Sequence, residues 1–213
     1  MYDLPYHKER DPAVIAAFVR EHPFAFLIGC GADGGPVATQ VPVFMEERDG
    51  RTRLRGHLMR GTDHHKAFVQ NERVLVVFSG AHAYVSGTWY RDPQTPSTWN
   101  YMSVHARGTI RFLDAAALED MLRELTLYFE DGDAASPTVY DNLPSRLTAR
   151  LVRQIVAFEV EVTDLDTTFK LSQDRDLESY RSIIERLKGR GENGATIAAE
   201  MEKRLRDVFP EDG

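Results

Sequence analysis

Cysteine is almost absent from this chain of 213 residues: Cys30 stands alone. One thiol excludes an intramolecular disulfide and leaves little of the thiolate set that structural zinc requires. Long apolar runs are missing, and no stretch approaches the length needed to span a bilayer. The first residues carry Asp3, Lys8, Glu9 and Arg10 without an apolar core, which argues against a secretory leader. These absences predict a cytoplasmic protein with no membrane partner. Positive charge is in deficit, with 26 Lys and Arg against 33 Asp and Glu and a formal net charge of −7. Proteins that grip duplex DNA draw most of that affinity from basic surfaces that neutralise phosphates. The overall field here would repel a duplex, although Arg146, Arg150 and Arg153 can form a local basic cluster on one helix. There is no helix-turn-helix, no zinc-finger spacing, no Gly-x-Ser-x-Gly elbow and no dinucleotide glycine fingerprint. Repeats and low-complexity segments are also lacking.

What is present is organised around residues 71–112. Val74 to Phe78 is a short apolar run rich in β-branched residues, suited to a strand buried on both faces. Ser79-Gly80 interrupts it, and Ala81 to Ser86 resumes with mixed character. Pro93 and Pro96 make a loop of residues 90–97, because proline cannot donate to a strand ladder. From Thr98 to Phe112 the chain alternates, with Trp99, Tyr101, Ser103, His105 and Arg107 against Met102, Val104 and Ala106. Period two makes this a strand with one polar-aromatic face. Such a face is either a ligand wall or a solvated surface.

In chain order, Asp11-Pro12 starts a helix that ends near His22, ahead of Pro23. Phe24 to Cys30 and Pro36 to Met45 read as strands around a glycine-rich turn, and Asp49-Gly50 as a two-residue hairpin leading into Arg51 to Leu58. Asp63 is placed to cap a short helix, His64 to Gln70, and Asp114 to cap a longer one. Ser145 to Gln154 reads as helix and Ile155 to Val162 as the last strand. Residues 174–213 hold two helical patterns split at Gly189 to Gly194. Strands dominate without βαβ alternation, which argues for an α+β, mostly β, antiparallel barrel with flanking helices. Residues 1–173 then form the barrel domain and 174–213 a C-terminal helical extension.

Among residues that could carry chemistry, Gly56-His57-Leu58-Met59-Arg60-Gly61-Thr62-Asp63-His64-His65-Lys66 stands out. A strand ends, a glycine turn follows, and a helix opens among basic side chains, which is how helix N-termini attract phosphate. The same residues also read as a capped surface helix with solvated charges, and Asp63 favours that reading. His57, His64 and His65 lie close in sequence, but adjacent helical histidines diverge by about a hundred degrees, so no metal site is assigned. Lys170 and Gln173 follow the last strand and read equally as a solvated lysine and an ordinary helix start. No catalytic residue is assigned.

Two long blocks and two short ones resemble a known family. Phe78 to Tyr90, Thr98 to Gly108 and Phe169 to Gln173, preceded by Met-Tyr-Asp-Leu-Pro-Tyr-His at Met1 to His7, are similar in order to the PaiB family. Its members are described as FMN-binding negative transcriptional regulators. The resemblance implies the FMN-binding split β-barrel, shared with pyridoxamine phosphate oxidases and flavin reductases, working as a homodimer with FMN at the subunit interface. It implies that Arg60, His64 and Lys66 bind the FMN phosphate, with His57 and Thr62 beside them. It puts the flavin ring near Trp99 and Tyr101, with the strand at Thr39 and Gln40 contributing, and brings Lys170 and Gln173 toward the flavin. Three functions follow as alternatives. One is a flavin-dependent regulator or sensor, one a flavin-dependent oxidase or reductase on the same scaffold. The third is a haem-binding or haem-degrading relative with His57, His64 or His82 as axial ligand. Direct DNA contact is left open, since no DNA-binding equipment is visible.

Overall fold

The structure is a computed structural model that describes residues 2–92 and 94–210. Met1 of the N-terminal block, Pro93 of the 90–97 loop and the last three residues of the extension lie outside the described residues. The strands are β1 (Phe24–Cys30), β2 (Pro36–Arg48), β3 (Arg51–Met59), β4 (Arg73–Val85), β5 (Thr98–Phe112) and β6 (Ile155–Lys170). They close a barrel in the order β1-β2-β3-β6-β5-β4. The helices are α1 (Pro12–Glu21), α2 (Asp63–Gln70), α3 (Ala115–Phe129), α4 (Ser145–Leu151), α5 (Leu177–Lys188), α6 (Gly191–Lys203) and α7 (Leu205–Val208). None of them is long and apolar enough to cross a membrane.

Local signals explain most boundaries. The Asp11 carboxylate accepts from the Ala13 N–H at 2.8 Å just ahead of Pro12, and Asp114 does the same for Ala117 at 2.9 Å. Asp49 and Gly50 both take positive φ, 54° and 69°, the conformation that a two-residue hairpin needs to match strand twist. Three expectations fail. β4 runs unbroken through Ser79-Gly80, and the Phe78 carbonyl there accepts the Ser103 hydroxyl at 3.0 Å. β6 continues eight residues past Val162 to Lys170, because Thr163 to Thr168 are polar enough to hide a strand from an apolar pattern yet β-branched enough to form one. Gly191 to Gly194 opens α6 instead of lying in a linker.

The chain divides into two compact units. Residues 19–77 and 106–165 make one. Here β1 pairs with β2 (Leu27 opposite Thr39), with β4 (Phe26 opposite Val77), and β3 with β6 (His57 opposite Ala157), all antiparallel. Ala25, Leu27, Val41, Val43, Leu54, Val76 and Phe158 are buried on the inner face. On the other face of β1, Phe24 and Phe26 are exposed, and Leu75 and Val77 of β4 are half-buried. Gly56 lets the strands close up, because a Cβ there would meet the Phe158 ring at 2.7 Å and the Pro42 carbonyl at 2.8 Å. The buried Glu159 carboxylate lies between Arg53 and Arg111, at 3.1 and 2.7 Å. α3 packs Leu118 and Met121 on Ala157, joined by Val152 and Ile155.

Residues 2–18, 78–105 and 166–210 make the described part of the other unit. Tyr180, Ile183, Leu187, Ile197 and Met201 of α5 and α6 are buried, and the Tyr180 hydroxyl donates to the Met201 carbonyl at 3.0 Å. Ser172, at φ 62°, donates to Asn100 Oδ1 at 3.0 Å. Arg204 pairs with Glu9 at 3.2 Å.

Candidate functional site

The turn from β3 into α2 is built by its sequence in a way that pattern alone misjudges. Gly61 takes φ +77°, which frees the chain to reverse after Met59. Thr62, not Asp63, is the N-cap: its Oγ1 accepts from the His65 N–H at 3.3 Å and donates to the Met59 carbonyl at 3.0 Å. Asp63 becomes the first helical residue, and its carboxylate accepts from its neighbour's N–H (His64, 2.8 Å), which holds its pKa below the usual carboxylate range. The Gly61 N–H donates to His65 Nδ1 at 3.2 Å, and the Lys66 N–H to the Thr62 carbonyl at 3.1 Å. The backbone donors of His64, His65 and Lys66 are thus engaged within the turn. What the turn offers an anion is side-chain charge.

Arg60 and Lys66 supply that charge, and both are exposed. Arg60 is oriented by two bonds to the start of β6, its N–H to the Gln154 carbonyl and its Nε to the Ile155 carbonyl, both 2.8 Å. The terminal guanidinium nitrogens are left to face outward. His64 is engaged within the turn, with Nε2 2.9 Å from Thr62 Oγ1 and Nδ1 3.1 Å from Asp63 Oδ1. Burial, and the nearby Arg60, His64 and Lys66, lower the pKa of His65. His57, two residues before the end of β3, is the exception in this cluster. Burial lowers its pKa, and its Nδ1 is buried with no hydrogen-bond partner among the described residues. An orphaned buried nitrogen fits a ligand that brings its own polar groups. Thr39 and Gln40 are neighbours on β2, so their side chains leave opposite faces. Gln40 shares the outer face of Phe26, and Thr39 stands opposite Leu27.

The remaining predicted residues belong to the other unit. Trp99 is exposed and packs against His82 and Tyr84, ring centroids 6.0 and 5.9 Å apart. Tyr101 is half-buried on the same strand face, and burial raises its phenol pKa. Lys170 donates to the Trp99 carbonyl at 2.8 Å and to the Thr98 hydroxyl, and desolvation lowers its pKa. Gln173 is fully engaged: its Nε2 donates to the Phe169 carbonyl, and its Oε1 accepts from Leu171 N–H and lies 3.0 Å from His7 Nδ1. The buried His7 was not expected in this cluster. No local signal marks it, because it reaches Gln173 across 166 residues of chain. Among the described residues no group of three or more His, Cys, Asp or Glu is placed to hold a metal ion.

Known proteins resemble the chain at three levels. Residues 1–164 match the family described as "Putative FMN-binding domain". The chain is 32% identical over 209 residues to "Protease synthase and sporulation protein PAI 2" of Bacillus subtilis (strain 168), covering 97% of this chain and 99% of that one. Among solved structures it is similar to the flavocytochrome Anf3 of Azotobacter vinelandii, with TM-score 0.59, 19% identity and coverage of 85% and 78%. It is also similar to the FAD and heme binding protein of Mycobacterium smegmatis, with TM-score 0.55, 17% identity and coverage of 77% and 73%. At such identities the two structures establish the shared fold alone.

Proposed function

We infer the function from one premise: this chain belongs to the PaiB-type FMN-binding domain family, on an α+β split-barrel fold. The proposed role is that of an FMN-binding regulator or flavin sensor, acting as a homodimer. The observation that carries the cofactor assignment is the β3–α2 turn, where Arg60 and Lys66 are exposed, preceded on β3 by His57 with its orphaned Nδ1. A flavin phosphate carries close to two negative charges, and guanidinium and ammonium groups answer it with charge-assisted hydrogen bonds. Arg60 would hold the phosphate from a pre-oriented position, Lys66 would add a point charge, and His57 would accept or donate one hydrogen bond as a neutral imidazole. Thr62 and His64 keep the turn in shape. Trp99, Tyr101, Lys170 and Gln173, with Thr39 and Gln40, are proposed as flavin contacts on the strength of the family alone. FMN, when bound, supplies hydride or electron chemistry, and the protein supplies binding and electrostatics.

The homodimer is supported by the outer face of β1 and β4, where Phe24 and Phe26 are exposed beside the half-buried Leu75 and Val77. Contiguous apolar surface of this kind marks interfaces. The haem alternative keeps His57 and His82 as axial-ligand candidates, since both ring nitrogens of His64 are engaged.

The deciding experiment is an absorbance spectrum of the freshly purified chain, followed by titration with FMN and riboflavin. A flavin spectrum is expected; a Soret band would transfer the site to haem. The double variant R60A/K66A should weaken FMN by at least about tenfold while leaving riboflavin nearly unchanged, because riboflavin lacks the phosphate. Equal losses for both ligands would mean that the two side chains only support the fold. No loss for either would place the phosphate elsewhere.

A further inference from the structure

A second cationic feature lies in the unit of residues 19–77 and 106–165. A hollow of about 660 Å³ is lined by Pro144, Arg146, Leu147, Ala149, Arg150 and Arg153, on the N-cap of α4, α4 itself and the turn that follows it. That volume lies within the range of small-molecule sites, roughly 300–1,000 Å³. Arg153 falls beyond the end of α4, so the expected single-helix cluster is instead a helix and its exit turn.

These three arginines, like Arg20, Arg60 and Arg73, lack the carboxylate partner that the other arginines of the unit have. Arg51, Arg53, Arg55, Arg107, Arg111 and Arg123 each have a carboxylate against them. Arg146, Arg150 and Arg153 have none among the described residues. The sequence explains this, since residues 142–158 contain no Asp or Glu. Glu119, Asp120 and Asp141, on α3 and the turn before α4, are all taken by Arg123. Arg146 and Arg150 are also four residues apart, so like charges share one face of a short helix, which destabilises it. An anion seated between them removes the repulsion.

We propose that this hollow binds a compact organic anion of two or more negative charges, a phosphate ester or polyphosphate, held by Arg146, Arg150 and Arg153. Guanidinium forks match phosphate oxygens two at a time, and Leu147 and Ala149 give the organic part an apolar wall. Duplex DNA fits less well. Three cations gathered in a hollow neutralise few phosphates, and the chain carries a net charge of −7. The assignment stands apart from the flavin reading. Since Gln154 and Ile155, which follow Arg153, hold Arg60, the two anion sites must be measured separately.

The test is calorimetric titration of the full chain with inorganic pyrophosphate, once saturated with FMN and once without it. One saturable site is expected with FMN bound, where the flavin site is filled, and R146A/R150A/R153A should weaken it about tenfold or more while FMN affinity stays unchanged. The control R186A/R206A removes two exposed arginines from α5 and α7 and should leave pyrophosphate binding intact. Four results would overturn the proposal. They are no pyrophosphate binding, equal loss in the control, displacement of pyrophosphate by FMN, or tighter binding of a short DNA duplex that the triple substitution abolishes. The third would return the anion to the flavin site, and the fourth would assign the arginines to nucleic acid.

Discussion

His57 shows how one side chain links burial, charge and ligand. Desolvation lowers its pKa from the ordinary value of 6.5, so the folded chain keeps the ring neutral where the unfolded chain protonates it. The unfolded state therefore binds the proton first as pH falls. The stabilising contribution is complete above the unfolded value of 6.5 and is lost as pH drops below it toward the folded value. One group can change stability by at most about 1.4 kcal/mol per pH unit. H57Q cannot titrate and should lose less of its urea midpoint than the parent chain when the buffer goes from about pH 8 to about pH 5.5. Matching losses in both proteins would assign the effect to His7, His22 and His65, whose pKa values burial also lowers.

At the level of elements, glycine decides where packing overrides propensity. Gly194 sits in the first turns of α6, where alanine would ordinarily stabilise the helix by about 1 kcal/mol. Here a Cβ would stand 2.6 Å from the Leu187 carbonyl and 2.7 Å from Arg190 Cβ, so α5 and α6 would have to separate. G194A should therefore lower the thermal midpoint despite its better helix propensity. A higher midpoint would show that the helix pair yields at little cost. At the β3–α2 junction the Asp63 carboxylate takes the second helical N–H and Thr62 the third, both of which would otherwise be free. Because those donors are satisfied internally, anion affinity at this turn rests on Arg60 and Lys66.

On the scale of the whole molecule, two expectations concern association and division. Light scattering at micromolar concentration should give twice the chain mass, and F24D/F26D, which puts charge on the exposed face of β1, should shift the mass toward that of one chain. A stable monomer of the parent chain would refute the homodimer. We further propose that residues 1–173 form the barrel domain and that residues 174–213 are an extension that stabilises it. Truncation after Gln173 should leave a cooperatively folded, β-rich chain with a lower midpoint, because Asn100 loses Met201 and Glu9 loses Arg204. Circular dichroism without a cooperative transition would show that the helices belong to the domain itself.

The sequence by itself determined the features that depend on neighbours in the chain. Asp11-Pro12, Asp49-Gly50 and Asp114 mark their boundaries through capping and turn chemistry, and alternation from Trp99 to Arg107 gives the β5 face. Order of matching blocks was enough to indicate the family. What only the tertiary structure decided depends on partners far apart in sequence. Whether Thr62 or Asp63 caps α2 turns on where the Met59 carbonyl lies, and the reach of β6 past Val162 turns on the closed barrel satisfying a polar strand. The tie between His7 and Gln173, the freedom of Arg146, Arg150 and Arg153, and the orphaned nitrogen of His57 are likewise invisible to periodicity. Periodicity records which face is apolar. It does not record which polar group on that face is already satisfied, and that is what separates a binding residue from a structural one.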